Sequence, residues 1–231
     1  MKKLLMLVLA ISIMGACRYR KGSGNIITET RSAGSFTRIS VGGGFEIEIK
    51  NGPTEVMVES DDNIIKYIET DVVNGELKIR VRNNTSLRDA HLKVYVTAPE
   101  INDINSSASA EVEAKDVLRS GRTIKLHSSS GSNIKAALDA PDIIVNASSG
   151  GDLELSGRTR NFKATSSSGS AIDAKGLLSE NTTVNVSSGA SAHVHSSLNL
   201  EATASSGGNI TYRGGANVKK SVSSGGEVEK E

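Results

Sequence analysis

The chain is poor in the residues that usually staple exported proteins or recognise rings. Of its 231 residues one is Cys, none is Trp, three are Phe and four are Tyr. A single thiol permits no intramolecular disulfide, so packing alone must hold the fold. So few aromatics argue against a groove that stacks sugars or nucleic-acid bases. Charge of one sign is missing as well. The formal net charge is +1, and removing residues 1–16, with Lys2 and Lys3, takes away two positive charges and no acid. Nothing in that balance suits nucleic acid. There is no Gly-Lys-Ser/Thr phosphate loop, no Gly-x-Ser-x-Gly elbow and no Cys placed for nucleophilic catalysis.

What is abundant is one turn. Ser-Ser-Gly recurs with its Gly at 131, 150, 169, 189, 207 and 225, in steps of 19, 19, 20, 18 and 18 residues. A fixed period of this size marks one supersecondary unit stacked on itself. Counted from each Gly, apolar residues fall into columns. Seven before stand Ile124, Ile143, Phe162, Thr182, Leu200 and Val218, and five before stand Leu126, Val145, Ala164, Val184, Ala202 and Lys220. Three after stand Ile134, Leu153, Ile172, Ala192, Ile210 and Val228. The spacing within a repeat is two, the strand period with one face buried. Each repeat therefore reads as strand, Gly-permitted corner, strand and return turn, the last marked by Asp139-Ala140-Pro141-Asp142, Ser156-Gly157 or Gly214-Gly215. Such a pair is stable only when coils stack as parallel strands, which predicts an all-β solenoid with a repeat of about 19 residues over 105–231. Lys220, inside an inward column, predicts that the last coil loosens into a cap.

The two ends differ from this. Lys2-Lys3 followed by the apolar run Leu4 to Ala16 is too short to span a bilayer and suits a secretory signal. Its end, Met14-Gly15-Ala16-Cys17, resembles the lipobox of bacterial lipoproteins, which implies cleavage before Cys17 and lipidation of that residue. An ordinary signal peptide cut nearby, leaving a free thiol, is the competing reading. Residues 17–24 are then expected to form a tether in which Arg18, Arg20 and Lys21 sit beside the lipid anchor; this basic segment could touch anionic headgroups, with a solvated tether as the leading reading. The absence of Asp at position 18 favours the outer membrane, by resemblance to the usual sorting rule. Over 25–104 the repeats vanish but alternation continues, with strands expected at Phe36–Val41, Phe45–Ile49, Val56–Glu59, Leu77–Val81 and Leu92–Val96. Asn51-Gly52 and Asn74-Gly75 are read as turns between them, and Asp62 to Glu69 as a short helix. Residues 105–112 look like a degenerate first repeat.

In order, the lipobox, Gly22-Ser-Gly-Asn-Ile26, Phe36-Thr-Arg-Ile-Ser-Val41, Gly43-Gly-Phe-Glu-Ile-Glu-Ile49, Leu77-Lys-Ile79 and the Ser-Ser-Gly repeats resemble one family. It is the bacterial autotransporter-adhesin, head GIN domain family, a domain of unknown function. The resemblance covers about residues 22–228 and implies a right-handed parallel β-helix, similar in shape to pectin lyases and hexapeptide acyltransferases. It implies no catalytic set, no cofactor and a role in adhesion, and it carries over a single functional residue, the lipidated Cys17.

The surface expected to do this work is a polar strip. Two before each Gly stand Ser129, Ser148, Ser167, Ser187, Ser205 and Ser223, and four before stand His127, Asn146, Thr165, Asn185, Thr203 and Ser221. A strip of hydroxyls and amides could bind glycans or a cell-surface protein. The leading explanation is local: Ser hydroxyls bond nearby backbone at tight turns, and small residues let the coils stack without crowding. Asp139, Asp142, Asp152, Glu154 and Asp173 are the candidate acids for polysaccharide chemistry; Glu154 and Asp173 share the outward column four after the Gly with Lys135 and His193, which reads as a solvated, charge-mixed ladder. His193 and His195 have metal-compatible spacing but no evident third ligand. A non-enzymatic outer-membrane adhesin or scaffold therefore leads, facing the cell surface or the periplasm. A periplasm-facing structural or sensing protein and a carbohydrate-active enzyme remain as alternatives. Open strand edges at the solenoid ends point to a homo-oligomer such as a trimer.

Overall fold

The structure, a computed structural model, describes residues 19–231. The expected signal segment and Cys17 lie outside the described residues. In chain order the strands are β1 (Tyr19–Lys21), β2 (Ile26–Arg31), β3 (Arg38–Gly42), β4 (Glu46–Asn51), β5 (Glu55–Asp61), β6 (Ile68–Val73) and β7 (Glu76–Val81). Then come β8 (Ser86–Arg88), β9 (Leu92–Ala98), β10 (Asp103–Ser107), β11 (Glu111–Ala114), β12 (Leu118–Arg119) and β13 (Ile124–Ser129). The repeats supply β14 (Asn133–Ser148), β15 (Asp152–Ser166), β16 (Ala171–Val186), β17 (Ser191–His195), β18 (Asn199–Ala204), β19 (Asn209–Arg213), β20 (Asn217–Val222) and β21 (Glu227–Lys230).

These strands make a parallel β-solenoid. On the side before the corners, β7, β3, β10 and β13 stack in register, followed by the second halves of β14, β15 and β16, then β18 and β20. On the side after the corners the order is β9, β4, β11, the first halves of β14, β15 and β16, then β17, β19 and β21. Inward columns bury one side chain per coil, and Phe162, Val145, Ala164, Leu153 and Ile172 are all buried in one continuous core. Residues facing the core alternate with polar ones because successive side chains on a strand point to opposite faces.

The corners explain the Ser-Gly pairs. In all six, Ser at φ of 49–56° precedes Gly at φ of 69–73°, so two successive residues are left-handed. The next N–H donates back across the corner, as Gly151 does to Ser148 O at 2.9 Å. That geometry is a type I′ turn, more familiar in antiparallel hairpins. Two further corners lie in the N-terminal half, at Gly43-Gly44 and Ala108-Ser109. The Gly44 N–H donates to Ala108 O and the Ser109 N–H to Ser130 O, so both belong to the same stack as the repeats. Residues 105–112 are thus a full corner, and the N-terminal half supplies coils rather than a separate layer.

The N-terminal end of the stack is capped by antiparallel strands. β6 closes the edge of β7, and β5 closes β9 and is itself covered by β2. Asn74-Gly75, with both residues left-handed, joins β6 to β7 as expected. Asn51-Gly52 does not join paired strands, because β9 lies between β4 and β5. The helix expected from Asp62 to Glu69 is a single 3-10 turn at Ile65–Tyr67, after which the chain extends as β6. Ile65 and Ile68 are buried there, so tertiary burial outweighs the helical spacing. At the other end Val218 and Val222, 38% and 48% exposed, and Lys220 sit in columns that are buried in earlier coils.

Candidate functional site

The outer face before the corners is the polar strip. His127, Asn146, Thr165, Asn185, Thr203 and Ser221 are in register on consecutive coils. Beside them run Ser129, Ser148, Ser167, Ser187 and Ser205, each half-buried, and the exposed Ser223. Parallel pairing sets the rows roughly 4.8 Å apart, and alternate residues on one strand lie roughly 6.6 Å apart. The result is a flat lattice of small polar groups. Among the described residues, none of these side chains has a hydrogen-bond partner within the protein. The Ser column therefore lacks the hydroxyl-to-backbone bond of the local explanation, while its small side chains still let the coils stack without crowding.

Serines that do bond locally are a different set, on the inner side of the corners. Buried Ser128 and Ser132 share a hydrogen bond of 2.9 Å, and Ser132 Oγ donates to Ser106 O at 2.9 Å. Ser166 and Ser170 repeat the pair at 2.8 Å. These hydroxyls satisfy one another where water is excluded.

A third column went unrecognised in the sequence. Eight residues before the corner Gly stand Asp142, Asn161, Asn181, Asn199 and Asn217. Asn161 Nδ2 donates to Asp142 Oδ1 at 2.8 Å, Asn181 Nδ2 to Asn161 Oδ1 at 3.2 Å, and Asn199 Nδ2 to Asn181 Oδ1 at 2.8 Å. Identical amides one coil apart pair along the stack, each acting as donor and acceptor. The signal was the recurrence of Asn at a fixed offset. In the strip, by contrast, Asn146 and Asn185 alternate with Thr165 and Thr203, so no two amides are adjacent and no ladder forms.

The clustered acids are occupied. Arg158 grips Asp139 with two nitrogens at 3.2 and 2.9 Å, and the carboxyl is held below its ordinary value by that hydrogen bond. Asp152 accepts from the Ala171 N–H, Glu154 pairs with Lys135 at 2.9 Å, and Asp173 pairs with Lys175 at 2.9 Å. Burial works to raise the Asp173 carboxyl, but Lys175 prevails and it lies below its ordinary value. His193 is exposed and His195 half-buried, and no group of three metal-ligating side chains occurs among the described residues. No helix of the described residues is long and apolar enough to cross a membrane.

Comparison with known structures gives the same fold. A "putative adhesin" from Bacteroides fragilis NCTC 9343 superposes with a TM-score of 0.83 at 20% identity, covering 92% of this chain and 100% of that one. A "putative adhesin" from Parabacteroides merdae ATCC 43184 gives 0.74 at 18%, covering 92% and 99%. A "putative lipid binding protein" from Parabacteroides distasonis ATCC 8503 gives 0.72 at 21%, covering 93% and 100%. At these identities the likeness establishes the fold alone. No curated protein matches the chain. The family model described as "Putative auto-transporter adhesin, head GIN domain" matches residues 35–216, from the first buried Phe to the foot of the last described coil, and the chain belongs to that family.

Proposed function

We propose that this chain is a non-enzymatic adhesin of the cell envelope, anchored to the outer membrane through a lipidated Cys17, whose strip of Ser, Thr and Asn side chains binds an extended glycan. One observation carries the reading. Among the described residues the hydroxyls and amides of the strip have no side-chain partner, while the amides two outward columns away, in the Asn161–Asn181–Asn199 ladder, pair with one another.

The strip suits a ligand that repeats, because every coil presents the same pair of positions. Each contact is weak on its own, and affinity comes from many made at once along one rigid surface. The enzymatic alternative has little support, since each acid that could serve polysaccharide cleavage is already engaged by Arg158, Lys135, Lys175, the Asn161 amide or a backbone N–H.

The test is Thr165→Lys with Ser167→Lys on one coil and Thr203→Lys with Ser205→Lys two coils on. The neighbouring outward column already carries Lys125, Lys163 and Lys219, so the fold accepts long cations on this face. Binding of the full chain to immobilised cell-surface glycans should fall at least about tenfold, ~1.4 kcal/mol, with an unchanged melting temperature. Undiminished glycan binding by the quadruple variant would remove the strip from the account.

A further inference from the structure

The segment that follows Cys17 is fastened to the capped end of the solenoid. β1 pairs in parallel with β8, matching Tyr19 with Ser86, Arg20 with Leu87 and Lys21 with Arg88. Beyond it Asn63 Nδ2 donates to Lys21 O at 2.9 Å, Ser23 Oγ to Asp62 Oδ1 at 2.6 Å, the Gly24 N–H to Asp61 Oδ1 at 2.6 Å, and Asn25 Nδ2 to Asp62 Oδ2 at 2.9 Å. The described part of the expected tether is thus built into the cap.

Around this strand lies a group of cations centred on one ring. Arg20 sits 4.5 Å from the centroid of Tyr67, Lys66 at 5.5 Å and Arg82 at 5.9 Å. Glu69 is committed to Arg80 and Arg82, and Asp89 to Lys21 and Arg88. Arg20 and Lys66 have no acidic partner among the described residues. Tyr19, at the start of the same strand, is 62% exposed. Aromatic rings with a polar tip, flanked by Arg and Lys, suit the boundary between headgroups and acyl chains.

We propose that this capped end is a seat for an anionic lipid surface, which holds the solenoid upright on the membrane with its Ser-Gly coils leading away from the bilayer. Cys17 precedes Tyr19 by two residues in the sequence, a length of chain that spans at most roughly 7 Å. An anchor so close delivers Arg20, Lys66 and Tyr67 to the headgroups. Cationic side chains there attract anionic lipid over a Debye length. The seat draws on the lipid-anchor reading for its covalent attachment only; the cation and aromatic cluster stands without it, and neither depends on the glycan strip.

The chain has no Trp, so a single introduced indole reports on one place. Full-chain Tyr67→Trp and Val222→Trp proteins, purified from membranes, would be reconstituted into vesicles of brominated phosphatidylglycerol or brominated phosphatidylcholine. The seat predicts blue-shifted, quenched emission from Tyr67→Trp on phosphatidylglycerol, and none from Val222→Trp. Adding Arg20→Glu and Lys66→Glu should lower the quenched fraction at least about fivefold. The N-terminal peptide mass separates the two readings. A chain without acyl groups that still shows charge-dependent quenching keeps the seat and removes the anchor. An acylated chain whose Tyr67→Trp emission ignores the vesicles, or is quenched equally with and without the two charge reversals, overturns the seat.

Discussion

The N–H of Gly150 donates to the carbonyl of Ser168, one coil further on, at 3.2 Å. Gly131 does the same to Ser149, Gly169 to Ser188, Gly189 to Ser206 and Gly207 to Ser224. A turn that elsewhere reverses a hairpin here serves as a rung link, and the left-handed backbone it demands is offset at five of the six Ser-Gly corners by an inter-coil hydrogen bond. Adjacent glycines then have different duties. A Cβ at Gly150 would meet open space but sit at φ of 71°, whereas a Cβ at Gly151 would lie 2.4 Å from the Ser128 carbonyl oxygen. Gly150→Ala is expected to cost about 1–2 kcal/mol through conformation alone. Gly151→Ala should cost roughly 3 kcal/mol through overpacking. Urea midpoints at constant slope check the order. Equal costs would mean that the coils separate freely at this corner.

The corner serines offer a stabilising change. Ser168 holds a φ of 54° without a side-chain partner among the described residues. Asn enters this region more readily than Ser. Ser168→Asn should raise stability by about 0.5 kcal/mol. A loss of stability would show that the hydroxyl contributes to the fold.

The asparagine ladder makes a claim about coupling. Asn181 donates to Asn161 and accepts from Asn199. Asn181→Ala removes both bonds at a half-buried position and should cost about 1 kcal/mol. Combined with Asn161→Ala the losses should be less than additive, because one bond is shared. Strict additivity would mean that the ladder is no network.

The cap should be acid-sensitive. Asp61 is buried, and its carboxyl is held below its ordinary value of 3.8 first by the His91 N–H and then, against the opposing effect of burial, by the Gly24 N–H. A depressed folded value adds stability that is present above the unfolded value and lost as pH falls through the folded one. Melting temperature should therefore hold from pH 7 to about 5 and fall below about 4. Asp61→Asn should cost roughly 1.5–3 kcal/mol at neutral pH and flatten that fall. Faster exchange of the Gly24 and His91 amides at low pH would place the loss at the cap. An acid transition identical in wild type and Asp61→Asn would assign it elsewhere.

The sequence revealed the repeats because two demands coincide in them. Left-handed corners require Gly at a fixed interval, and a buried column requires apolar residues at period two, so Ile124, Ile143, Phe162 and Leu200 could be aligned by eye. The N-terminal coils hid for the opposite reason. Between the corners at Gly44 and Ser109 the chain inserts β5 and β6 of the antiparallel cap, which destroys the interval, and Ala108-Ser109 lacks Gly. β2 was missed because its alternating Thr and Glu leave only half-buried side chains, and it covers an edge rather than a core. The helical spacing of Ile64, Ile65 and Ile68 is real, but all three are buried at a bend. For the strip, sequence could place the side chains outward; it could not tell which polar columns pair along the stack and which stay open.

Everything proposed for the strip depends on which way it faces. Protease shaving of intact cells, followed by blotting for this chain with a permeabilised control, asks that directly. The account predicts loss of the protein from intact cells while a periplasmic marker survives. Protection until permeabilisation would contradict the adhesin reading and turn the search toward partners inside the envelope.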